Sequence, residues 1–151
     1  MKIFIDADGC PVVDITIAIA DKYKLPVTIV CDTAHNFSAK EVTVITVDKG
    51  ADSADIKLAN LIGADDIAVT QDYGLAALCL SKRAHALDQN GMAYTEGNID
   101  ALLLSRYTAK KLRNSGKRLK GPKKRIKEND IRFADSLERL IKNITADNAE
   151  K

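Results

Sequence analysis

The chain has 151 residues, 46% of them hydrophobic and 29% charged, which suits one globular domain and excludes a disordered chain. Charges break every apolar run well short of a membrane span, and three cysteines, Cys10, Cys31 and Cys79, without C-x-x-C spacing argue against a disulfide framework. The net charge of +2 averages two unlike halves: residues 1–72 carry a net −6 and residues 73–151 a net +8.

The apolar run Ile3-Phe4-Ile5 stops at Asp6 and Asp8, so no secretory leader pattern is read and the cytoplasm is the expected location. Lys2 to Asp6 reads as a strand and Val12 to Tyr23 as a helix, with Pro11 suited to its first turn. Val27 to Val30 and Val42 to Val47 are β-branched runs separated by the polar stretch 32–40. Asp52 to Ile62 predicts a helix ended by Gly63, Ile67 to Thr70 a fourth strand, Tyr73 to Leu80 a short helix, and Ala84 to Leu87 a fifth strand. Strands alternating with helices predict an α/β fold with a mostly parallel, five-stranded sheet.

After the turn signal Asn90-Gly91, Asn98 is expected to cap a helix running to Leu112, closed by Asn114-Ser115-Gly116. Residues 106 to 127 hold eleven Lys or Arg and no acidic residue. A last amphipathic helix is expected from about Asp130 to Lys142, with Ile131, Ala134, Leu137 and Ile141 on its buried face. The reading is a single domain over residues 1–144, its basic segment at 106–127, and a frayed tail from Thr145 to Lys151.

The acidic residues fall where such a sheet presents its functional edge. Asp6 and Asp8 end the first strand, Asp52 and Asp55 open a helix, and Asp72 follows the fourth strand. If strands one and four are neighbours where strand order reverses, Asp6, Asp8 and Asp72 converge, with Asp52 and Asp55 approaching from the side. Clustered carboxylates need protons or a divalent cation, and an all-oxygen set selects Mg²⁺ or Mn²⁺. Capping and helix-dipole roles account equally for Asp52, Asp55 and Asp72 taken singly, but not for the Asp6/Asp8 pair.

The stretches KIFIDADGCPV, VDKGADSADIKLA and VTQDYGLAA resemble the bacterial YaiI/YqxD family, itself similar to the PIN-like nucleases. The resemblance implies a three-layer α/β/α fold with strand order 3-2-1-4-5. It also implies Mg²⁺ or Mn²⁺ held by Asp6, Asp52, Asp55 and Asp72, with Asp8 in the catalytic group. Metal-dependent hydrolysis of RNA or single-stranded DNA is the function that follows, since no G-x-S-x-G nucleophile or histidine triad is present. PIN-like proteins often pair, so a homodimer is a further expectation, for which an exposed apolar helix face is needed.

Two alternatives stand beside it. Asp6-Ala7-Asp8-Gly9 also resembles the start of haloacid-dehalogenase phosphatases, with Asp6 as nucleophile, although Cys10 and the position of Asp65-Asp66 ahead of their strand depart from that pattern. A nucleic-acid-binding module without catalysis would use the basic segment alone: Lys110, Lys111, Arg113, Lys117, Arg118, Lys120, Lys123, Lys124 and Arg125. A membrane partner is not expected, because that run lacks apolar anchors. His35, Asn36, Arg83 and Arg106 are further candidates for substrate contact, and Cys10 near a helix start is weighed as a lowered-pKa thiol against a small buried one.

Overall fold

A computed structural model describes residues 1–32, 42–49, 53–117 and 123–150. Six strands run β1 (Ile3–Asp6), β2 (Val27–Cys31), β3 (Val42–Thr46), β4 (Ile67–Val69), β5 (His85–Leu87) and β6 (Ala93–Tyr94). Five helices are α1 (Val13–Lys22), α2 (Ser53–Leu61), α3 (Tyr73–Ser81), α4 (Ile99–Asn114) and α5 (Lys127–Ala149). The strands form one sheet in the order β3-β2-β1-β4-β5-β6. The 3-2-1-4-5 order holds, all those pairings are parallel, and β6 adds an antiparallel edge.

The strands are apolar on both faces because both faces are covered. Ile3 and Ile5 of β1 join Val13 and Ile19 of α1 and Phe133, Leu137 and Ile141 of α5 in one core layer. Phe4, between them in sequence, points the opposite way and packs with Leu58 of α2, Leu75 and Cys79 of α3 and Ile99 of α4. Alternation along a single strand thus serves two cores. Lys22 and Tyr23 tie α1 to α5 through Glu138 Oε1, at 2.6 and 3.0 Å.

The structure corrects three expectations about local structure. The sixth strand is absent from the sequence reading because two residues carry no period. It is set by the preceding turn, where Asp88 Oδ1 accepts the backbone hydrogens of Asn90 and Met92, both at 2.8 Å. Gly91 completes that turn at φ +87°, and a Cβ there would meet Ser136 Oγ at 2.6 Å, so the turn seats directly on α5.

Asn98 does not cap α4 through its own side chain. Instead Thr95 and Asn98 form a reciprocal box: Asn98 Oδ1 accepts from Thr95 N at 2.8 Å and Thr95 Oγ1 from Asn98 N at 3.2 Å.

The last helix is longer and rotated relative to the expectation. It begins at Lys127, runs past Thr145 to Ala149 and buries Phe133, Leu137, Ile141 and Ile144, leaving Ile131 52% exposed. Burial of Ile144 draws the helix into the region read as a tail. Among the described residues no helix is long and apolar enough to cross a membrane.

Candidate functional site

The chain builds the sheet outward from β1 in one direction through β2 and β3, and in the other through β4, β5 and β6, so strand order reverses between β1 and β4. Ile5 pairs with Val69 there, which puts Asp6 level with Thr70. Thr70 is 2% exposed and its hydroxyl both gives and takes a hydrogen bond: it donates to Asp6 Oδ2 at 2.9 Å and accepts from the backbone of Asp72 at 3.0 Å. The Thr70 carbonyl accepts from the buried phenol of Tyr94 at 3.0 Å. Burial, reinforced by Asp88, Tyr73 and Asp72, pushes that phenol's pKa up and keeps it a donor.

Asp72 holds two roles at once. As N-cap of α3 its Oδ1 accepts from Leu75 N at 3.0 Å. The same oxygen lies 3.5 Å from Arg106 Nη1, and the Asp55 side chain, from the first turn of α2, hydrogen-bonds to Asp72. Burial alone would raise the Asp72 pKa, but the bonds from Leu75, Asp55 and Gly74 and the charge of Arg106 outweigh it and hold it low.

Asp6 is shifted the other way. Burial raises its pKa, the Thr70 hydroxyl opposes this, and the charges of Asp72 and Asp8 add to the rise. Asp8 is exposed and its Oδ2 accepts from Asp32 N at 2.8 Å, which fixes the chain where it leaves β2. A cavity of about 30 Å³, the share of one water molecule or ion, is lined by Asp6, Asp8, Cys10, Thr70 and Gln71. On the other side of Asp72 lies an open cleft of about 320 Å³ between Asp55, Ile56, Gly74, Leu78 and Arg106.

A hard divalent cation suits this donor set in chemistry. The candidate ligands are carboxylate oxygens, and the charges of Asp72 and Asp8 add to the rise at Asp6, a repulsion that a cation would relieve. Among the described residues no three His, Cys, Asp or Glu side chains stand close enough together to hold an ion. Asp52, the remaining expected ligand, lies outside the described residues, as do His35, Asn36, Arg118 and Lys120.

The other sequence candidates separate by position. Arg83, at φ +65°, lies in the turn ahead of β5 and its carbonyl accepts from Asp65 N, so it sits at the edge opposite Asp6 and is not a contact of this site. Asp65 and Asp66 share that far edge, where Asp66 binds the backbone of Lys2 and Gly63, each at 2.9 Å. The acidic pair of a haloacid-dehalogenase reading therefore lies across the sheet from Asp6.

Helical spacing divides the basic residues of α4. Arg106, Lys110 and Arg113 stand four and three residues apart in one exposed row that begins at Asp72, whereas Lys111 lies on another row. Lys117, Lys123 and Lys124 are exposed. Arg125 is committed elsewhere, to Asp130 at 2.7 Å, Asn90 Oδ1 at 2.8 Å and the Gln89 carbonyl at 2.8 Å. Burial pushes the Cys10 thiol up, despite the Val12 amide and with Asp6 adding to the rise, so the lowered-pKa reading does not hold.

Sequence reasoning named Thr70 only as the end of the fourth strand and missed its linking hydroxyl. It had no signal for Tyr94, whose role depends on β6.

The chain matches the model of a family described as "Uncharacterized BCR, YaiI/YqxD family" over residues 4–143. It is 50% identical over 141 residues to a UPF0178 protein of Exiguobacterium sibiricum, covering 93% of this chain and 96% of that one. A UPF0178 protein of Ruminiclostridium cellulolyticum is 49% identical over 142 residues, 94% and 93% of the two chains. One from Bacillus cereus is 45% identical over 144 residues, 93% and 99% of the two. No solved structure gives a significant match to the chain.

Proposed function

The chain belongs to the YaiI/YqxD family, and from its acidic edge we propose that it is a PIN-like nuclease, cleaving phosphodiester bonds in RNA or single-stranded DNA with Mg²⁺ or Mn²⁺ in the bacterial cytoplasm. The observation that carries the reading is the link from Asp6 through the Thr70 hydroxyl to Asp72, with Asp55 on Asp72, at the point where strand order reverses. Asp6, Asp55 and Asp72, which do not stand close enough together here to hold an ion, would have to close on the cation, with Asp52 as a fourth expected ligand and Asp8 beside Asp6. When bound, the ion supplies Lewis-acid polarisation of a phosphate oxygen and a water of lowered pKa.

The chain's own groups do the rest. Thr70 orients Asp6 and, through the Asp72 backbone, sets the start of α3. Arg106 is exposed and only 3.5 Å from Asp72, which suits it to receive a substrate phosphate, and Lys110 and Arg113 continue the positive row along the strand.

The test is incubation of purified protein with single-stranded RNA and DNA, with Mn²⁺, Mg²⁺ or chelator. Cleavage that needs the metal and disappears in Asp6→Asn and Asp72→Asn supports the proposal. Cleavage that survives those substitutions, or none with either metal, overturns it. The row Arg106, Lys110 and Arg113 favours one second reading, a module that binds single strands without cutting them; salt-dependent binding without cleavage would select it.

A further inference from the structure

The open cleft beside Asp72 has apolar walls that holding a cation does not need. It lies where α3 packs against α2 and α4, and Gly74, the buried Leu75, Ile56 and Leu78 all line it. Ile56 stands three residues before the buried Ala59 of α2, and Leu78 three after Leu75 of α3, so each sits at the border of its helix's buried stripe. They are 58% and 49% exposed. Two large apolar side chains lining one concave site beside charged groups mark a binding surface.

The charges around the cleft say what fills it. Asp55 and Asp72 line it too, so a phosphate or carboxylate seated inside would meet like charge. Arg106 lines it as well and begins the row that continues through Lys110 and Arg113, so an anionic chain is attracted to the mouth while an uncharged group suits the interior. A single nucleic-acid strand has both parts: a phosphate backbone, and bases whose faces are apolar enough to pack on aliphatic side chains. The volume of about 320 Å³ is at the small end of ligand pockets, which suits one base with its sugar and not a folded segment.

We propose that this cleft takes one unstacked nucleobase of a single strand, packed against Ile56 and Leu78, with the neighbouring phosphate on Arg106. The inference rests on the nucleic-acid reading of the acidic edge and adds a physical reason for single strands: a base in a duplex is held in its stack and cannot enter without being flipped out. Gly74 contributes no side chain to the cleft, which lets the base approach the start of α3 beside Asp72. Held mainly by its faces, the base is bound with little regard to its identity.

Fluorescence anisotropy with chelator present, so that cleavage plays no part, tests this. The probes are labelled uridine and thymidine oligomers of about ten nucleotides, each beside a strand of equal length and charge without bases. At low salt the strands with bases are expected to bind about tenfold more tightly than those without. Ile56→Ala with Leu78→Ala should remove most of that difference, leaving the affinity for the base-free strand and the salt slope as they were, because the phosphate contacts remain. Both side chains are half exposed, so the variant should fold, which circular dichroism checks. Binding indifferent to the bases, a difference that survives in the double variant, or no binding of any strand at low salt overturns the proposal. Metal-dependent cleavage with base-indifferent binding keeps the nuclease and removes the cleft, whereas base-dependent binding lost in the double variant, without cleavage, does the reverse.

Discussion

A methyl group on Gly74 would stand 3.2 Å from Asp72 Oδ1, the oxygen that both caps α3 and lies nearest Arg106. The missing side chain leaves the carboxylate its place. Gly74→Ala gains up to about 1 kcal/mol of helix propensity and must move Asp72 to do so. The variant should melt at or above the temperature of the unsubstituted protein and cleave more slowly, a split that thermal melts and a cleavage time course measure together.

Asp72 itself can be separated into its two roles. Asn caps a helix about as well as Asp, whereas Ala loses roughly 1 kcal/mol. Denaturant unfolding should show Asp72→Asn close to the unsubstituted protein and Asp72→Ala lower by that amount, with cleavage lost in both. Equal destabilisation of the two would mean that the charge opposite Arg106, rather than the cap, holds this end of α3.

Asp6 gives a pH signature. Its pKa in the folded protein lies above the ordinary 3.8, so between 3.8 and the folded value the native state binds more protons than the unfolded chain. The Asp6 contribution therefore falls as pH rises through that interval, and the loss is complete at neutral pH. Asp6→Asn removes the buried charge and retains an acceptor for Thr70. It should be more stable than the unsubstituted protein at pH 7, with the difference shrinking as pH falls toward 3.8. A variant less stable at pH 7 would contradict this.

The basic row predicts a salt dependence. Each of Arg106, Lys110 and Arg113 that neutralises a phosphate adds about 0.7 to the slope of log K against log salt for a single strand. Replacing Lys110 and Arg113 with Gln should flatten the slope by roughly 1.4, measured by fluorescence anisotropy of labelled oligonucleotides at several salt concentrations. An unchanged slope would remove them from the contact surface.

The strands and helices from β1 to α3 were legible because apolar runs alternate with Gly, Pro and acidic punctuation, as at Asp6, Pro26, Gly63 and Asp72. The phase of α5 was not. Ile131, Ala134, Leu137 and Ile141 make an acceptable helical stripe, and so do Phe133, Leu137, Ile141 and Ile144, which share two members with it. Only the shape of the layer beneath chooses the aromatic.

At the site, Asp6 and Asp72 could be found because a strand end fixes where a residue lies in the sheet. Thr70 and Tyr94 act through bonds between β1, β4 and β6, and pairing across 24 or 64 positions leaves no local pattern. Arg83 and Arg106 are alike as residues. What separates them is that one sits where the chain enters a parallel strand and the other on a helix that returns past the strand ends.

The order of the layers bears on how the protein comes off the ribosome. β1 is made well before α5, yet Ile3 and Ile5 are covered in part by Phe133 and Leu137 of that helix. A nascent chain lacking Lys127–Ala149 exposes one apolar face of the sheet, the condition that favours aggregation during synthesis. The edge that carries Asp6 can therefore settle only after α5 has been made, which makes loss of that helix more damaging to the site than its distance in sequence would suggest.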